Sequence, residues 1–517
     1  MARQDSLLLG LAAPFALWCA VLAVAVAGQQ PAPPERPSQR GEVIPAVRCA
    51  AQPDQSYALY LPMNYTADRR WPIVYVFEPF ARGAVPLKLM SAAAARYGYI
   101  LAASNNARNG PTAPELEAAN AVWADTRSWL AIDDRRIYFA GLSGAARLAS
   151  QLALNSKAAA GVFLNSAGFS GAAWPAQGSS LAVFALTGLE DFNYPEVIQL
   201  DAKLDSLGVP HFLRRFPGQH AWAPAESWEE AFAWMDVEAM RQQRKPSDPA
   251  FLSAEFDRAL ARARSLAESR EAYFAWQNYG EIAATFGGIV DTAPAAERAR
   301  ALENNPEVAA GRKAEAKDID TQRILESDIL GPLQQMAGDA GASAAPSPTQ
   351  AAPQGSTMGT MGPMGSMGGM APRPAAPDSL GAGGGYDSLQ ARAASQIRQL
   401  RGSATHENKP DKKRVFSRAL YGVAVFLEER GDDCIRARQY HRADFYLELG
   451  VEAVPDWAWS HLSLARSYAL EGNRKNALRE LRRARELASD HAAFVEQLRS
   501  SDFDRLRDDP GFRSLTD

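Results

Sequence analysis

The chain has 517 residues, more than one hydrophobic core usually organises, so several domains are expected. Its 55 Lys and Arg against 59 Asp and Glu leave a net charge of -4, which excludes a charge-driven nucleic-acid partner; Arg479, Arg482, Arg483 and Arg485 alternate with Glu480 and Glu486 as a solvated helix face would. Three cysteines, of which only Cys49 and Cys434 lie beyond the N-terminal apolar run, exclude a disulfide framework, so the 47% hydrophobic content must supply the cores.

Residues 1–27 read as a targeting segment. Met1 to Asp5 precede an apolar stretch from Leu7 to Ala27 that ends in Ala25-Val-Ala27, the pattern of a secretory signal with a small-residue cleavage site. Left uncleaved, residues 7–27 would nearly span a bilayer and anchor the chain in the membrane. Pro14 and the small residues at the exit favour cleavage, hence an exported, periplasmic or extracellular protein, and Trp18 argues against lipidation at Cys19.

Residues 46–243 alternate strand and helix signals. Ser56 to Leu61 predicts an early edge strand, Trp71 to Phe77 a central strand, Tyr99 to Ala103 another, with helices near Leu87 to Tyr97 and Glu115 to Leu130. Such alternation predicts an α/β fold with a mostly parallel sheet flanked by helices. Asn105 and Asn106, following a strand, are candidates for a substrate rim, although a polar turn would look the same.

The run Arg136 to Leu154 changes from β-branched and aromatic residues to helical periodicity across Gly141-Leu-Ser-Gly144, which predicts a strand, a sharp turn and a helix with Ser143 at the apex. A serine there projects Oγ above the sheet edge, and the amide of Gly144 with the helix N-terminus offers positive charge to a developing oxyanion. Downstream, the strand signals Gly161 to Asn165 and Leu181 to Thr187 lead to Gly188-Leu-Glu-Asp-Phe-Asn193, and His211 to Phe216 leads to Pro217-Gly-Gln-His-Ala-Trp222. A weakly nucleophilic hydroxyl needs an imidazole base, and the imidazole needs a carboxylate to fix its tautomer. Ser143, His220 and Asp191 stand at the ends of three predicted strands and fill these roles; Glu190 is the competing acid, and His211 reads as structural. Trp222 is a further rim candidate, and the short connection between the Gly161 and Leu181 strands predicts an open site.

Through Gly141-Leu-Ser-Gly-Ala-Ala-Arg147, Gly188-Leu-Glu-Asp-Phe-Asn193 and Gly218-Gln-His-Ala-Trp222, residues of about 50 to 240 resemble the secreted polyhydroxybutyrate-depolymerase and feruloyl-esterase branch of the α/β-hydrolases. The resemblance implies a serine esterase without cofactor or metal. Such enzymes carry His-Gly after the central strand to complete the oxyanion hole. This chain has Phe77-Glu-Pro-Phe-Ala-Arg-Gly83, and because Pro79 lacks an N–H the second donor is expected from Phe80 or Ala81. Glu78 reads as a solvated loop charge or a substrate contact.

Beyond Arg244 the strand signals stop. Residues 244–330 predict helices, starting with a hairpin over Phe251 to Phe286 in which Phe256, Leu260, Ala263 and Leu266 share a face. Residues 331–386 are an Ala/Gly/Pro/Ser/Met linker. Within it Met358, Met361, Met364, Met367 and Met370 recur every third residue; a Met-Gly linker explains the spacing better than Cu(I) ligation. In residues 387–517, Ala443 and Ala477, Leu447 and Leu481, and Gly450 and Ala484 pair at an offset of 34, which resembles the tetratricopeptide repeat and implies a protein partner for the helical module. Few contacts are expected to cross the linker, so a fragment ending near Leu330 is predicted to work alone.

These readings converge on an exported carboxylic ester hydrolase acting through an acyl-enzyme on Ser143, with a helical-repeat module for protein interaction. The competing reading is a hydrolase-fold binding or scaffold protein of weak or absent catalysis.

Overall fold

The computed structural model describes residues 36–171, 173–342, 385–488 and 491–516. The expected signal or anchor and the methionine repeat fall outside them. No helix among the described residues is long and apolar enough to cross a membrane.

The strands belong to one eight-stranded, mostly parallel sheet, and the chain divides into two compact units at Asp134/Arg135. In the first unit, β1 (Val43–Arg48) and β2 (Ser56–Tyr60) are antiparallel, β2 pairs antiparallel with β4 (Ile100–Ser104), and β4 pairs parallel with β3 (Trp71–Phe77). The edge of this unit is therefore β1, not the strand from Ser56. The short β1 alternates poorly, with exposed Pro45, Ala46 and Arg48, and so left little periodic signal. Helices α1 (Ala84–Tyr97) and α2 (Thr112–Trp129) connect the strands, and α1 ends at Gly98 with φ of 74°, which favours glycine.

In the second unit β5 (Ile132–Leu142, which begins just before the division), β6 (Ala159–Asn165), β7 (Ala182–Gly188) and β8 (His211–Phe216) run parallel in that order, so their carboxyl ends share one edge. Every residue of β6 and β7 is buried, which is why both read as unbroken apolar runs: helices cover both faces of a parallel sheet. Helix α3 (Gly144–Asn155) follows β5, α4 (Tyr194–Leu207) follows β7 and α5 (Ala225–Arg241) follows β8. Between sheet and α5, Phe163 stacks on Phe232 with centroids 5.3 Å apart and Phe184 on Phe212 at 5.1 Å.

The remainder is helical. The predicted hairpin is α6 (Pro249–Glu268) against α7 (Ala272–Phe286), with Phe256, Leu260 and Ala263 buried. After α8 (Ala293–Glu303), α9 (Pro306–Ala342) runs about three turns past the expected linker start at 331, because Leu330 and Leu333 are buried in the C-terminal core. That core is built by α10 (Gly385–His406), α11 (Pro410–Arg436), α12 (Tyr440–Ala453), α13 (Ala458–Glu471) and α14 (Arg474–Leu487), followed by short helices α15 (His491–Gln497) and α16 (Pro510–Thr516). Ala443, Leu447, Ala477, Leu481 and Ala484 of the 34-residue offset are completely buried. Small residues set the helix spacing: a Cβ on Gly431 of α11 would lie 2.5 Å from the Leu447 side chain of α12.

Contacts do cross the linker where few were expected: the Arg418 guanidinium of α11 sits 4.6 Å from the Tyr194 ring centre, and a Cβ on Gly422 of α11 would lie 3.7 Å from Phe192 Cβ. Before the linker, Gln322 of α9 donates to the Phe192 carbonyl at 2.8 Å and Glu315 accepts from the Tyr194 hydroxyl at 2.5 Å. Linker composition says nothing about what the helices on either side of it touch.

Candidate functional site

The turn between β5 and α3 has the geometry that its glycines predict. Ser143 adopts φ 56° and ψ -127°, a conformation that an L-residue holds only when its surroundings impose it. They do so by hydrogen bonding: the Ser143 N–H donates to Asn165 O at 2.9 Å, and its carbonyl accepts from the amide of Ala146 at 2.9 Å. Gly141 is required because a Cβ there would lie 2.6 Å from the Ala146 nitrogen in the first turn of α3. Gly144 opens that helix, which directs its N-terminal dipole at the apex.

Asp191 and His220 leave the ends of β7 and β8 and meet. His220 Nδ1 and Asp191 Oδ1 are 2.8 Å apart; the carboxylate is completely buried while the imidazole side chain keeps 20% of its accessible surface. Glu190, the competing acid, is exposed, and its amide donates to Gly218 O at 2.8 Å. The two loops can abut because Gly188 lacks a side chain: a Cβ would lie 2.6 Å from the Gln219 carbonyl oxygen and 2.9 Å from the Gly218 carbonyl carbon. Asp191 Oδ1 also accepts the Asn193 amide at 2.8 Å, and the Phe192 ring packs on the imidazole with centroids 4.1 Å apart.

A supporting set went unread in the sequence. Asn165, at the end of β6, accepts the Ala223 amide at 2.8 Å and donates to Ala221 O at 3.1 Å, so it holds the histidine loop. Asn193 donates to Ser166 O at 2.8 Å and holds the acid loop, while Ser166 itself has φ of 60°. The available signal was a polar Asn165-Ser166 pair closing an otherwise apolar strand. Arg147 of α3 pairs with Glu196 of α4 at 2.7 Å, and Glu196 accepts the Gly168 amide at 2.8 Å, which braces the elbow helix against the acid side.

The mostly parallel sheet flanked by helices, with Ser143 at a strand-to-helix turn, is similar to the α/β-hydrolase fold. No family model and no curated protein matches the chain by sequence. Among solved structures it is similar to an S-formylglutathione hydrolase from Staphylococcus aureus, at 14% identity and a TM-score of 0.32 over 39% of this chain and 99% of that one. It is similar also to a ferulic acid esterase, at 18% identity and a TM-score of 0.30 over 37% and 94% of the two chains. An esterase from the archaeon Pyrobaculum calidifontis aligns at 14% identity and a TM-score of 0.31, over 40% and 87%. These similarities cover less than half of the chain.

The remaining candidates fare differently. Trp222 packs on Trp228 with centroids 5.9 Å apart, and its indole nitrogen is buried without a hydrogen-bond partner. His211 is structural, as expected, with Nδ1 2.8 Å from Val209 O and Nε2 3.4 Å from Asp201. Asn105 and Asn106 are not free for substrate: the side chain of Asn105 donates to Pro45 O at 3.0 Å, and that of Asn106 accepts the Ser56 amide at 2.9 Å, stapling the start of β2.

The loop after β3 brings the largest correction. Glu78 is not a solvated charge; it is completely buried and paired with Arg82 at 2.6 Å. Its carboxylate accepts the Phe80 amide at 2.8 Å and the Arg82 amide at 3.0 Å, and its carbonyl accepts the Ala81 amide at 2.9 Å. Both expected oxyanion donors, Phe80 and Ala81, are thus engaged within their own loop, and Ala81 is held at φ 61° to close it.

Among the described residues His441, Asp444 and Glu471 bring possible metal-ligand atoms within 4.8 Å of one another. His441 Nδ1 pairs with Glu471 at 3.0 Å and Asp444 accepts the Ser467 hydroxyl at 2.6 Å, so the group satisfies itself.

Proposed function

We propose that the protein is a serine hydrolase of the carboxylic ester class. The observation that carries this is the Asp191–His220 hydrogen bond of 2.8 Å at the sheet edge where Ser143 is held at φ 56°. With Nδ1 bound to a buried carboxylate, the imidazole presents Nε2 as the base. Nε2 takes the Ser143 hydroxyl proton as Oγ attacks the ester carbonyl, and the oxyanion is met by the Gly144 amide at the α3 N-terminus. The proton then passes to the leaving alkoxide, which departs as alcohol. Water, deprotonated by His220, cleaves the acyl-enzyme and releases the acid.

Export through residues 1–27 and a tetratricopeptide-like partner surface in residues 387–517 belong to the same proposal, supported by the signal pattern and the 34-residue offset. The test is fluorophosphonate labelling followed by peptide mapping, with hydrolysis of a short-chain aryl ester measured beside it. Label on the peptide carrying Ser143 is the expected result; an unlabelled, non-hydrolysing protein refutes the proposal. The second reading, a hydrolase-fold binding protein, is favoured by the engagement of the Phe80 and Ala81 amides with Glu78, and it expects that unlabelled result.

A further inference from the structure

Helix α9 lies more than a hundred residues beyond the acid loop in sequence, yet its Gln322 reaches that loop. Gln322 is completely buried. Its Nε2 donates to the Phe192 carbonyl at 2.8 Å and to Glu326 Oε1, one turn on, at 2.9 Å. Phe192 stands between the two residues that organise the base: Asp191 holds His220 Nδ1, and the Asn193 amide holds Asp191 Oδ1. The Phe192 ring also lies against the imidazole, centroids 4.1 Å apart.

Helix α11 closes over the same residues. A Cβ on Gly422 would lie 3.7 Å from Phe192 Cβ, and the Tyr421 side chain lies beside Gln219, the residue before His220. Burial raises the carboxyl group of Glu326 to about 7, so this acceptor beside Gln322 is held in a poorly hydrated place.

Gln322 carries a cost that packing alone does not explain. Its Oε1 is buried with no hydrogen bond, and a methionine of similar length would fill the space without that penalty. What methionine cannot supply is the N–H to the Phe192 carbonyl. We propose that Gln322 is a positioning residue for His220, so that the helices after the hydrolase sheet complete the catalytic apparatus. This rests on the hydrolase reading for its effect on turnover; the placement of the imidazole it concerns can be measured without turnover.

The experiment uses the full chain with Gln322→Met, and Gln322→Glu as an isosteric second variant should the first not fold. Exposed Ile324 on the same helix supplies the control, Ile324→Ala. Two readouts are taken: the pH profile of kcat and KM on a short-chain aryl ester, and the titration of the His220 ring by NMR of histidine-labelled protein, assigned with His220→Gln. For Gln322→Met we expect kcat lower by about tenfold with KM within about twofold, as a small displacement of the base produces. The His220 titration should move in parallel, with the control unchanged. A folded Gln322 variant with the wild-type His220 titration overturns the inference. If the wild-type protein hydrolyses no ester, the hydrolase reading fails separately, and the His220 titration still decides whether Gln322 positions the ring.

Discussion

Gly188→Ala tests the candidate site at the point where its two loops touch. A methyl group there would sit 2.6 Å from the Gln219 carbonyl oxygen and 2.9 Å from the Gly218 carbonyl carbon, against an ordinary carbon–oxygen contact of about 3.3 Å. The obstacle is backbone on both sides, and the Gly218 carbonyl oxygen lies nearer still, so the histidine loop must move by at least about 0.7 Å away from β7, the strand that carries Asp191. The Asp191–His220 bond of 2.8 Å would lengthen by a similar amount and fall outside good hydrogen-bond geometry. A misplacement of that size is expected to lower kcat/KM by about thirtyfold, or about 2 kcal/mol in the barrier. Overpacking should cost about 1–3 kcal/mol of stability as well. The assay is kcat/KM on one aryl ester with a thermal melt on the same sample. Gly280→Ala serves as control, because a Cβ built there meets nothing within 4 Å beyond its chain neighbours and its own helix backbone. A folded Gly188→Ala protein with the wild-type kcat/KM would refute the claim that close approach of these loops sets the triad.

Other substitutions test separate parts. Ser143→Ala should lower ester hydrolysis by about a thousandfold or more while leaving the melting temperature nearly unchanged, which steady-state kinetics and calorimetry check together. Asp191→Asn should remove most activity by favouring the wrong imidazole tautomer, and Glu190→Gln, at an exposed position, should remove little; the reverse order in kcat/KM would transfer the role to Glu190. Glu428 of α11 is buried beside Ser460 and Ser463, with Asp432 and Arg466 the nearest charges, and burial raises its carboxyl group from 4.5 to about 8. A raised carboxyl group stays protonated in the folded chain while the unfolded chain loses the proton. Its contribution is therefore present at low pH and is lost as pH climbs from about 4.5 to 8, by about 1.4 kcal/mol per unit at most. Denaturant melts of Glu428→Gln should show a weaker fall in stability across that window, and an unchanged slope would count against the assignment.

Legibility followed the range of the interaction that decides each feature. Strands β6, β7 and β8, the elbow with Ser143 at its apex and the hairpin of α6 and α7 were readable because apolar periodicity and turn glycines are local consequences of backbone geometry. The order serine, acid, histidine was readable for the same reason, since each residue closes its own strand. Strand β1 was missed because its short, exposed sequence lacks a period. Asp191 was preferred over Glu190 from its place in the turn, but adjacent acids look much alike in sequence, and the approach of the histidine loop through Gly188 is what buries and bonds the one and leaves the other exposed. Glu78 is the sharper case. An acid next to proline in a loop reads as a solvated charge, and only the closed turn at Ala81 shows its carboxylate taking the amides of Phe80 and Arg82. Composition likewise marked residues 331–386 as a linker but could not say what the helices beyond it would touch. The contacts of Gln322 and Gly422 with Phe192 join positions 130 to 230 residues apart, and no local pattern in a single sequence encodes such a pairing.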